Sequence, residues 1–341
     1  MKIANNATKV PFPLMPNESQ RQSPNEVSHF LPAPEIIPLV ASAPAPVTVS
    51  PVVRDLLSLI GRTRNIVLHG VPGTGKTYHA LDFAKTFLGK AQDNLLFVAF
   101  HPAYTYDEFV GGARPGVFRA LCIRAEAAPS RAFLVVIDGI DNTPVTSVFG
   151  ELLTLLEDDK RLGETHALRV TLPLTGKPFG IPRNVFVLAT ASTANLSALD
   201  PGLRRRFAFV AVPPDPGLLT QTIHGVSLSA LLTRLNRRIS ALFANECYLG
   251  HGYLMTARTV ADLRFVWNHK IVPELFAVTA GDTARLRALL GTVFFAPDDT
   301  DDTLFDAETV PAIAPRYHLQ TFDGDDDGFI AALKRLTQVS S

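Results

Sequence analysis

The stretch GVPGTGKT, residues 70–77, decides how this chain folds. It fits the pattern G-x-x-x-x-G-K-[ST] and lies between a short apolar run, NIVLH, and a segment of helical spacing, YHALDFAKTFL. A glycine-rich loop between a strand and a helix can turn its backbone N–H groups around phosphate oxygens, and the helix presents its positive end to the same anion. The sequence therefore predicts a nucleotide-phosphate site formed by Gly70, Gly73, Thr74, Gly75, Lys76 and Thr77.

Two side chains of this loop and one distant acid carry specific chemistry. The Lys76 ammonium is expected to reach the β and γ phosphates, and the Thr77 hydroxyl to ligate Mg²⁺. Asp138 ends the buried apolar run FLVVID. In a parallel sheet the carboxyl ends of the strands meet at one edge, so we expect Asp138 beside the loop as the second Mg²⁺ ligand. The alternative is an aspartate that only starts a turn.

The remaining apolar runs predict the fold class. The runs NIVLHG, NLLFVAF, FLVVID, NVFVLAT and FAFVAV are short and wholly apolar, and helical patterns separate them. This alternation predicts an α/β P-loop core of three layers, with a parallel sheet covered on both faces. ALRVTLPLTGKPFGIP alternates and turns at Thr175-Gly176, which predicts an inserted β-hairpin. From about residue 217 the strands are expected to stop, and helical spacing predicts a smaller helical domain.

Composition excludes several classes of protein. The 341 residues include 32 Lys+Arg and 32 Asp+Glu, which argues against a wholly basic nucleic-acid-binding surface and leaves a local basic patch as the alternative. Cys122 and Cys247 form neither a disulfide framework nor a zinc pattern, and we expect buried thiols in a reducing compartment. Because no apolar run is long enough to span a membrane and the first residues lack a signal peptide's apolar stretch, we expect a cytoplasmic protein without membrane contact.

Proline and aspartate mark the ends of the chain. Ten of the 26 prolines lie within the first 51 residues, where they disfavour helix and central strand. The predicted organisation is a proline-rich tail or linker over 1–50, an α/β core over 51–216 and a helical region with an extension over 217–341. The tail is interpreted as disordered, with a docking arm for a partner as the alternative. The runs PDDTDDTLFD and FDGDDDGF lack EF-hand spacing, so both are interpreted as solvated acidic loops.

Longer segments carry a specific family resemblance over about residues 55–280. Taken together with the P-loop, the chain resembles the McrB family of AAA+ NTPases, the nucleotide-driven subunits of modification-dependent (type IV) restriction systems. The resemblance implies an AAA+ core followed by a helical lid. It rests on FHPAYTYDEFVGGARP (100–115), VFRALCIRAEAAP (117–129), FGELLTLLEDDKR (149–161), LPLTGKPFGIPRNVFVLAT (172–190), ALDPGLRRRFAF (198–209), YLGHGYLM (248–255) and FVWNHKIVPELF (265–276).

The resemblance also implies ligands and partners. It implies ATP or GTP with Mg²⁺, a ring of identical or paralogous subunits, an McrC-like nuclease partner and indirect action on DNA. Arg204, Arg205 and Arg206 match the family's LRRRF segment, which implies an arginine finger toward the neighbouring subunit's nucleotide; solvated arginines are the alternative. The aromatic residues Tyr104, Tyr106 and Phe109 are expected either at a central pore or in ordinary packing.

Three departures from the family pattern concern hydrolysis. Gly139 stands where the family has the glutamate that positions water, Ser192 stands where it has the asparagine that senses the γ-phosphate, and Asn195 replaces an aspartate. A positioned general base contributes roughly 10²–10⁴-fold, so its loss raises the barrier by about 3–5 kcal/mol. Asp141 is a candidate substitute that requires an altered loop.

Two hypotheses of function follow. The first is a nucleotide-binding ring subunit of a restriction or phage-defence system with weak hydrolysis. The second is a fully active ATP- or GTP-hydrolysing motor that drives restriction. Whether the chain is an enzyme stays open at this stage. A generic P-loop kinase or transferase fits the hairpin and the lid segments less well.

Overall fold

The computed structural model describes residues 49–192, 196, 199–243, 248–297 and 317–338. The predicted tail lies outside these ranges except for its last two residues, and so do Asn195, Cys247 and most of the first acidic run. Cys122 is a buried free thiol, as expected from the sequence.

Five parallel strands form the central sheet, and across it they run in the order 95–99, 133–138, 185–192, 65–70 and 208–211. Each of the five apolar runs provides one strand, which confirms the predicted α/β class. The strands are β1 (Asn65–Gly70), β2 (Leu95–Ala99), β3 (Phe133–Asp138), β6 (Val185–Ser192) and β7 (Ala208–Ala211).

Helices precede, separate and follow these strands. They are α1 (Pro51–Leu59), α2 (Lys76–Leu88), α3 (Tyr106–Phe109), α4 (Val117–Glu126), α5 (Val145–Phe149), α6 (Leu152–Leu155), α7 (Pro201–Arg204), α8 (Leu228–Leu242), α9 (Val260–Val266), α10 (Val272–Val278), α11 (Thr283–Leu290) and α12 (Asp326–Thr337). A π-helical segment, Trp267–Ile271, joins α9 to α10.

The three central strands β1, β3 and β6 are buried on both faces of the sheet, which explains their apolar sequences. In β3, Leu134 and Val136 pack in one hydrophobic cluster with α1 and α2, whose Leu56 and Phe83 are fully buried. The intervening Val135 belongs to the cluster on the opposite face, which contains buried residues of α3 to α7. The result is the predicted three-layer core.

The carboxyl edge of the sheet gathers the residues that matter for function. In β1, Gly70 pairs in register with Ser192 of β6. Because β6 lies between β1 and β3, the end of β3 at Asp138 reaches the same edge. The loop that follows β1 and the acid that ends β3 therefore lie side by side.

One helical run is divided in the structure, and the predicted hairpin is short. The run SVFGELLTLLEDDKR forms α5 and α6 with a break at Gly150, whose φ is 50°. The inserted hairpin is present as the short strands β4 (Val170–Thr171) and β5 (Pro178–Phe179).

The C-terminal helices enclose a hydrophobic cluster of their own. Trp267, Ile271 and Leu275 are fully buried in it, so their spacing reflects internal packing rather than an interface. The expectation that strands stop near residue 217 is wrong, because two antiparallel pairs follow. They are β8 (Thr222–Ile223) with β9 (Val226–Ser227), and β10 (Phe295–Pro297) with β11 (Tyr317–Leu319). Strands of two or three residues are too short to show alternation.

Candidate functional site

The loop 70–77 adopts a backbone that depends on its glycines. Gly73 and Gly75 have φ values of 76° and 81°, and Gly75 is the N-cap of α2. Gly70 is required for a different reason, since a Cβ there would lie 2.4 Å from the carbonyl oxygen of Val212. Thr74 is buried, and its hydroxyl donates to the carbonyl oxygen of Val71 at 3.1 Å. The loop thus leads directly into the positive end of a 13-residue helix.

Lys76 lies across this loop. Its Nζ donates to the carbonyl oxygens of Gly70 at 2.9 Å and Val71 at 3.0 Å. Burial lowers the pKa of the Lys76 ammonium, and the nearby carboxylates of Asp141 and Asp138 oppose that shift. Carbonyl oxygens are weak partners for a cation compared with phosphate oxygens, so Lys76 can exchange them for an anionic ligand.

Thr77, Asp138 and Thr190 form a cluster of oxygen atoms beside Lys76. The hydroxyl of Thr77 donates to Asp138 Oδ1 at 2.8 Å, and the hydroxyl of Thr190 donates to the same oxygen at 2.7 Å. Thr190 in turn accepts from the backbone N–H of Gly139 at 2.9 Å. Thr190 was not singled out in the sequence, although it ends the apolar run NVFVLAT at the level of the P-loop.

This oxygen cluster fits Mg²⁺, which prefers hard oxygen ligands. Within the described ranges, no three His, Cys, Asp or Glu side chains come together as a metal site. Mg²⁺ typically binds one or two protein oxygens and completes its coordination with water and nucleotide phosphates. Thr77 and Asp138 are therefore the residues that would hold it.

Gly139 stands where the family has a glutamate, and the side chain of another residue lies in the space beside it. Gly139 has a φ of 70°, and a Cβ there would lie 2.2 Å from Nδ2 of Asn142. Asn142 donates from that amide to the carbonyl oxygen of Phe100 at 3.2 Å. The side chain of Asn142 thus fills the space next to position 139.

Asp141 and Ser192 are close to each other at the same edge. The backbone N–H of Ser192 donates to Asp141 Oδ2 at 3.1 Å. Since Ser192 pairs in register with Gly70, the Asp141 carboxylate lies at the edge of the sheet where the P-loop begins. Asp141 lies in a tight turn that runs from Gly139 to Asn142. Glu151, the acid of the run FGELLTLLEDDKR that lies closest to its start, accepts from the hydroxyl of Tyr106 at 2.6 Å and is not an obvious substitute base.

The three arginines have different environments. Arg206 has a side chain only 6% exposed, and it pairs with Glu157 Oε1 at 2.9 Å and donates to the carbonyl oxygen of Gly202 at 2.6 Å. Arg205 is 67% exposed at its side chain and pairs with the same oxygen at 3.0 Å. Arg204, the last residue of α7, is exposed. Arg204 and Arg205 therefore face solvent, whereas Arg206 is held within its own subunit.

The aromatic residues after β2 belong to the packing of the core. Phe109 is fully buried and stacks on Phe118 with ring centroids 4.7 Å apart, and Tyr104 stacks on Phe100 at 4.9 Å. Tyr106 donates to Glu151. The geometry therefore favours the packing interpretation for these three aromatic residues.

The helical region contacts the P-loop directly, and this contact was missed in the sequence. The backbone N–H of Gly252 donates to the carbonyl oxygen of Gly73 at 2.8 Å. A Cβ on Gly250 would lie 2.2 Å from the carbonyl oxygen of Pro72, and the ring of Tyr253 lies against Gly73. The sequence feature that could have predicted this contact is the pair of glycines in YLGHGYLM, since close approach of two backbones needs residues without a side chain.

Two histidines lie at this contact. His251 is 4% exposed, and its Nδ1 accepts from the backbone N–H of Asp215 at 3.0 Å. Burial lowers the pKa of the His251 imidazole, His79 lowers it further, and the Asp215 carboxylate opposes the shift. Burial also lowers the pKa of His79. His251 is therefore a neutral acceptor at pH 7.

Comparisons with known proteins match both parts of the described chain. The family model of the AAA domain (dynein-related subfamily) matches residues 65–207, and that of the McrB alpha-helical lid domain matches residues 227–287. None of the helices in the described ranges has the length and apolarity needed to cross a bilayer.

Relatives and a solved structure give further matches. The Type IV methyl-directed restriction enzyme EcoKMcrB subunit of Escherichia coli (strain K12) is 31% identical over 229 residues, covering 59% of this chain and 49% of that protein, so the chain spans about half its length. The Type II restriction enzyme BsuMI component YdiS of Bacillus subtilis (strain 168) is 26% identical, covering 79% of this chain and 91% of that protein. The crystal structure of NtrX from Brucella abortus in complex with ATP has a TM-score of 0.37 at 14% identity, covering 72% of this chain and 65% of that chain.

Proposed function

Because the chain belongs to the McrB-like family of AAA+ proteins, we propose that it is a purine nucleoside triphosphate-binding subunit of a DNA restriction or phage-defence system. In this proposal, ATP or GTP binds at residues 70–77 with Mg²⁺ at Thr77 and Asp138. The subunits assemble in a ring, alone or with a paralogue, and work with an McrC-like nuclease on DNA.

The observation that carries the proposal is that the P-loop lysine lies beside the cluster of Thr77 and Asp138 oxygen atoms. Lys76 donates to the carbonyl oxygens of Gly70 and Val71, and the hydroxyl of Thr77 donates to the carboxylate of Asp138 at 2.8 Å in the same site. A cation free to bind phosphate beside two hard oxygens is the arrangement that a Mg²⁺-nucleotide requires. When bound, Mg²⁺ would neutralise phosphate charge, and Lys76 would orient the terminal phosphates.

Weak hydrolysis is supported by the surroundings of Gly139. The residue has no side chain to orient water, and Asn142 occupies the adjacent space. An amide cannot accept a proton as a carboxylate does, so Asn142 does not replace a general base. We therefore propose a subunit whose main work is to bind nucleotide and to assemble.

An active motor is the second candidate, and Asp141 favours it. Its carboxylate lies near Lys76 and accepts from Ser192 at the edge where the triphosphate would bind. A carboxylate there has the chemistry of a general base, although it sits two residues beyond the usual position.

The division of the chain and the assembly complete the proposal. The separate hydrophobic clusters before and after residue 217 support a P-loop core over 51–216 and a lid with its extension over 217–341. The solvent-facing Arg204 and Arg205 support a contact with a neighbouring subunit's nucleotide. A role in DNA restriction is proposed because both relatives named above are components of restriction enzymes.

The test is equilibrium binding of ATP and of GTP, each with Mg²⁺ and with EDTA, followed by a turnover assay on the same sample. We expect Mg²⁺-dependent binding of at least one triphosphate and little release of phosphate. Failure to bind either triphosphate would contradict the proposed nucleotide site, and rapid turnover would select the motor instead.

A further inference from the structure

Thr190 lies between Asp138 and the turn that follows it. The strands β3 and β6 pair through Ile137 and Ala189, so the next residues along the two strands, Asp138 and Thr190, are neighbours at the carboxyl edge of the sheet. Thr190 is almost fully buried, with 2% of its surface exposed. A buried hydroxyl has to find its hydrogen-bond partners within the protein, and those of Thr190 belong to the proposed metal site.

The hydroxyl of Thr190 makes two hydrogen bonds that fix its orientation. It accepts from the backbone N–H of Gly139 at 2.9 Å, so its single hydrogen is directed to Asp138 Oδ1 at 2.7 Å. The hydroxyl of Thr77 donates to the same oxygen at 2.8 Å. Two donors on one oxygen restrict the rotation of the Asp138 carboxylate about its terminal bond.

The two threonines have different roles once a cation binds. Thr77 belongs to the P-loop, and its oxygen is one of those that would hold Mg²⁺. Thr190 belongs to the sheet, and its oxygen already accepts from Gly139, so Thr190 serves the carboxylate and does not ligate the ion. A hydrogen-bond donor outside the ligand set is typical of metal sites, where it orients a ligating carboxylate.

We propose that Thr190 is a positioning residue, which holds the Asp138 carboxylate in the orientation in which it binds Mg²⁺. This inference rests on the proposed nucleotide site. Because the same hydroxyl accepts from Gly139, Thr190 also ties the turn after Asp138 to β6. The end of β6 therefore fixes both the acid and the backbone that leaves it.

The experiment measures the affinity for ATP and for GTP by calorimetry, once with saturating Mg²⁺ and once with EDTA. The ratio of the two affinities is the gain from Mg²⁺, and by linkage it reports how tightly the bound nucleotide holds the ion. The variants are T190V and T190S. T86V is the matched control, because the Thr86 hydroxyl donates to the carbonyl oxygen of Asp82 at 3.0 Å within α2. Thermal unfolding without Mg²⁺ checks the fold of each variant.

We expect T190V to reduce the gain from Mg²⁺ about tenfold, the lower end of the effect of removing such a partner, while its affinity in EDTA stays at the wild-type level. Valine has the shape of threonine without the hydroxyl. T190S keeps the hydroxyl and should retain the gain, as should T86V. The Gly139 N–H loses its acceptor in T190V, so the unfolding temperature should fall. T190A is the second variant if T190V does not fold, and it should show the same loss.

The outcomes separate the role of Thr190 from the proposed site. A wild-type gain in T190V and T190A would overturn the role of Thr190 alone. Equal losses of affinity in EDTA and in Mg²⁺ would also overturn it, since Thr190 would then support the loop and not the ion ligand. So would a loss of the gain in T190S as large as in T190V. A wild-type chain that binds triphosphate equally well in Mg²⁺ and in EDTA, or that binds none, would overturn the proposed Mg²⁺-nucleotide site, and the role of Thr190 with it.

Discussion

The backbone N–H of Gly252 lies 2.8 Å from the carbonyl oxygen of Gly73, so the helical region is hydrogen-bonded to the P-loop itself. Gly250 approaches the same loop so closely that a Cβ would meet the carbonyl oxygen of Pro72 at 2.2 Å. Movement of the lid and the shape of the phosphate loop are therefore linked through a backbone contact. Any substitution that pushes Gly250 and Gly252 away from the P-loop should weaken nucleotide binding.

The first prediction tests this contact with Gly250→Ala. The backbone of Gly250 has a φ of −72°, which alanine adopts without strain, so the effect is purely steric. We expect a loss of roughly 1–3 kcal/mol in unfolding free energy, as for other overpacked sites, and weaker triphosphate binding. Thermal unfolding and calorimetric binding provide the two measurements.

The control for this prediction is Gly61→Ala. A Cβ on Gly61 would meet nothing closer than the carbonyl oxygen of Ser58 at 3.9 Å. Gly61→Ala should therefore leave the free energy of unfolding and the triphosphate affinity unchanged. Wild-type binding by the Gly250 variant would show that the P-loop does not depend on the lid contact.

The second prediction concerns Lys76. Changing it to alanine removes a cation that donates to the carbonyl oxygens of Gly70 and Val71 at the P-loop. Charged hydrogen bonds contribute about 1.5–3 kcal/mol, so triphosphate binding should weaken roughly 10–100-fold. Lys85→Ala is the matched control, because Lys85 lies exposed in the last turn of the same helix. Equal binding by wild type and the Lys76 variant would contradict the assigned phosphate site.

The third prediction is that Gly139→Glu alone does not restore hydrolysis. Its φ of 70° disfavours a side chain, at a cost on the order of 1–3 kcal/mol, and a Cβ there would displace the Asn142 amide from its hydrogen bond to Phe100. We expect a lower unfolding temperature without faster phosphate release. The double variant Gly139→Glu with Asn142→Gly clears the space, and it should turn over faster than either single variant.

A matched control separates backbone strain from the clash. Gly176 has a φ of 64° in the hairpin turn, and a Cβ there meets no atom within 4 Å. Gly176→Glu should therefore show the strain alone. If Gly139→Glu is no less stable than Gly176→Glu, then Asn142 does not obstruct position 139.

The fourth prediction is slow turnover by the purified wild-type chain. Without a positioned base, phosphate release should be roughly 10²–10⁴-fold slower than in a relative that retains the glutamate. Asp141→Asn decides the alternative, since it removes only the carboxylate that accepts from Ser192. Fast turnover that Lys76→Ala and Asp141→Asn both abolish would identify Asp141 as the base and the chain as a motor.

The sequence predicted the features that depend on local pattern. Five apolar strands alternate with helices, and the glycines of the loop 70–77 fix its backbone, so the α/β class follows from the periodicity and the motif. The parallel arrangement then places Asp138 beside the loop, because strand ends share one edge. These steps need no knowledge of distant contacts.

The features that it missed depend on contacts between distant residues. Nothing local in Asn142 shows that its amide fills the space of position 139, and nothing in YLGHGYLM shows that it rests on Gly73. Arg205 and Arg206 are adjacent and chemically identical, yet only the fold encloses one and exposes the other. The strands β8 to β11 have only two or three residues each, so no alternation of apolar and polar residues could predict them.

The last prediction is a pH dependence that comes from His251. Its Nδ1 accepts from the backbone N–H of Asp215, and a proton on that nitrogen would break the bond. The pKa of His251 is lower in the folded chain than its ordinary value near 6.5, so below that pH the unfolded chain binds the proton more readily. The stabilisation is complete above about pH 6.5 and is lost as the pH falls toward the folded pKa. The pKa of His79 is lowered in the same direction and adds to the effect.

We therefore expect the free energy of unfolding in urea to fall between pH 7.5 and 5.5, and His251→Asn to reduce that fall. Asparagine places an oxygen where Nδ1 lies, so the variant can accept from Asp215 without titrating. His224→Asn is the control, since His224 lies exposed in the turn between β8 and β9 at a φ of 46°, which asparagine tolerates. An unchanged pH profile in His251→Asn, with the stability at pH 7.5 preserved, would show that this histidine does not link protonation to folding.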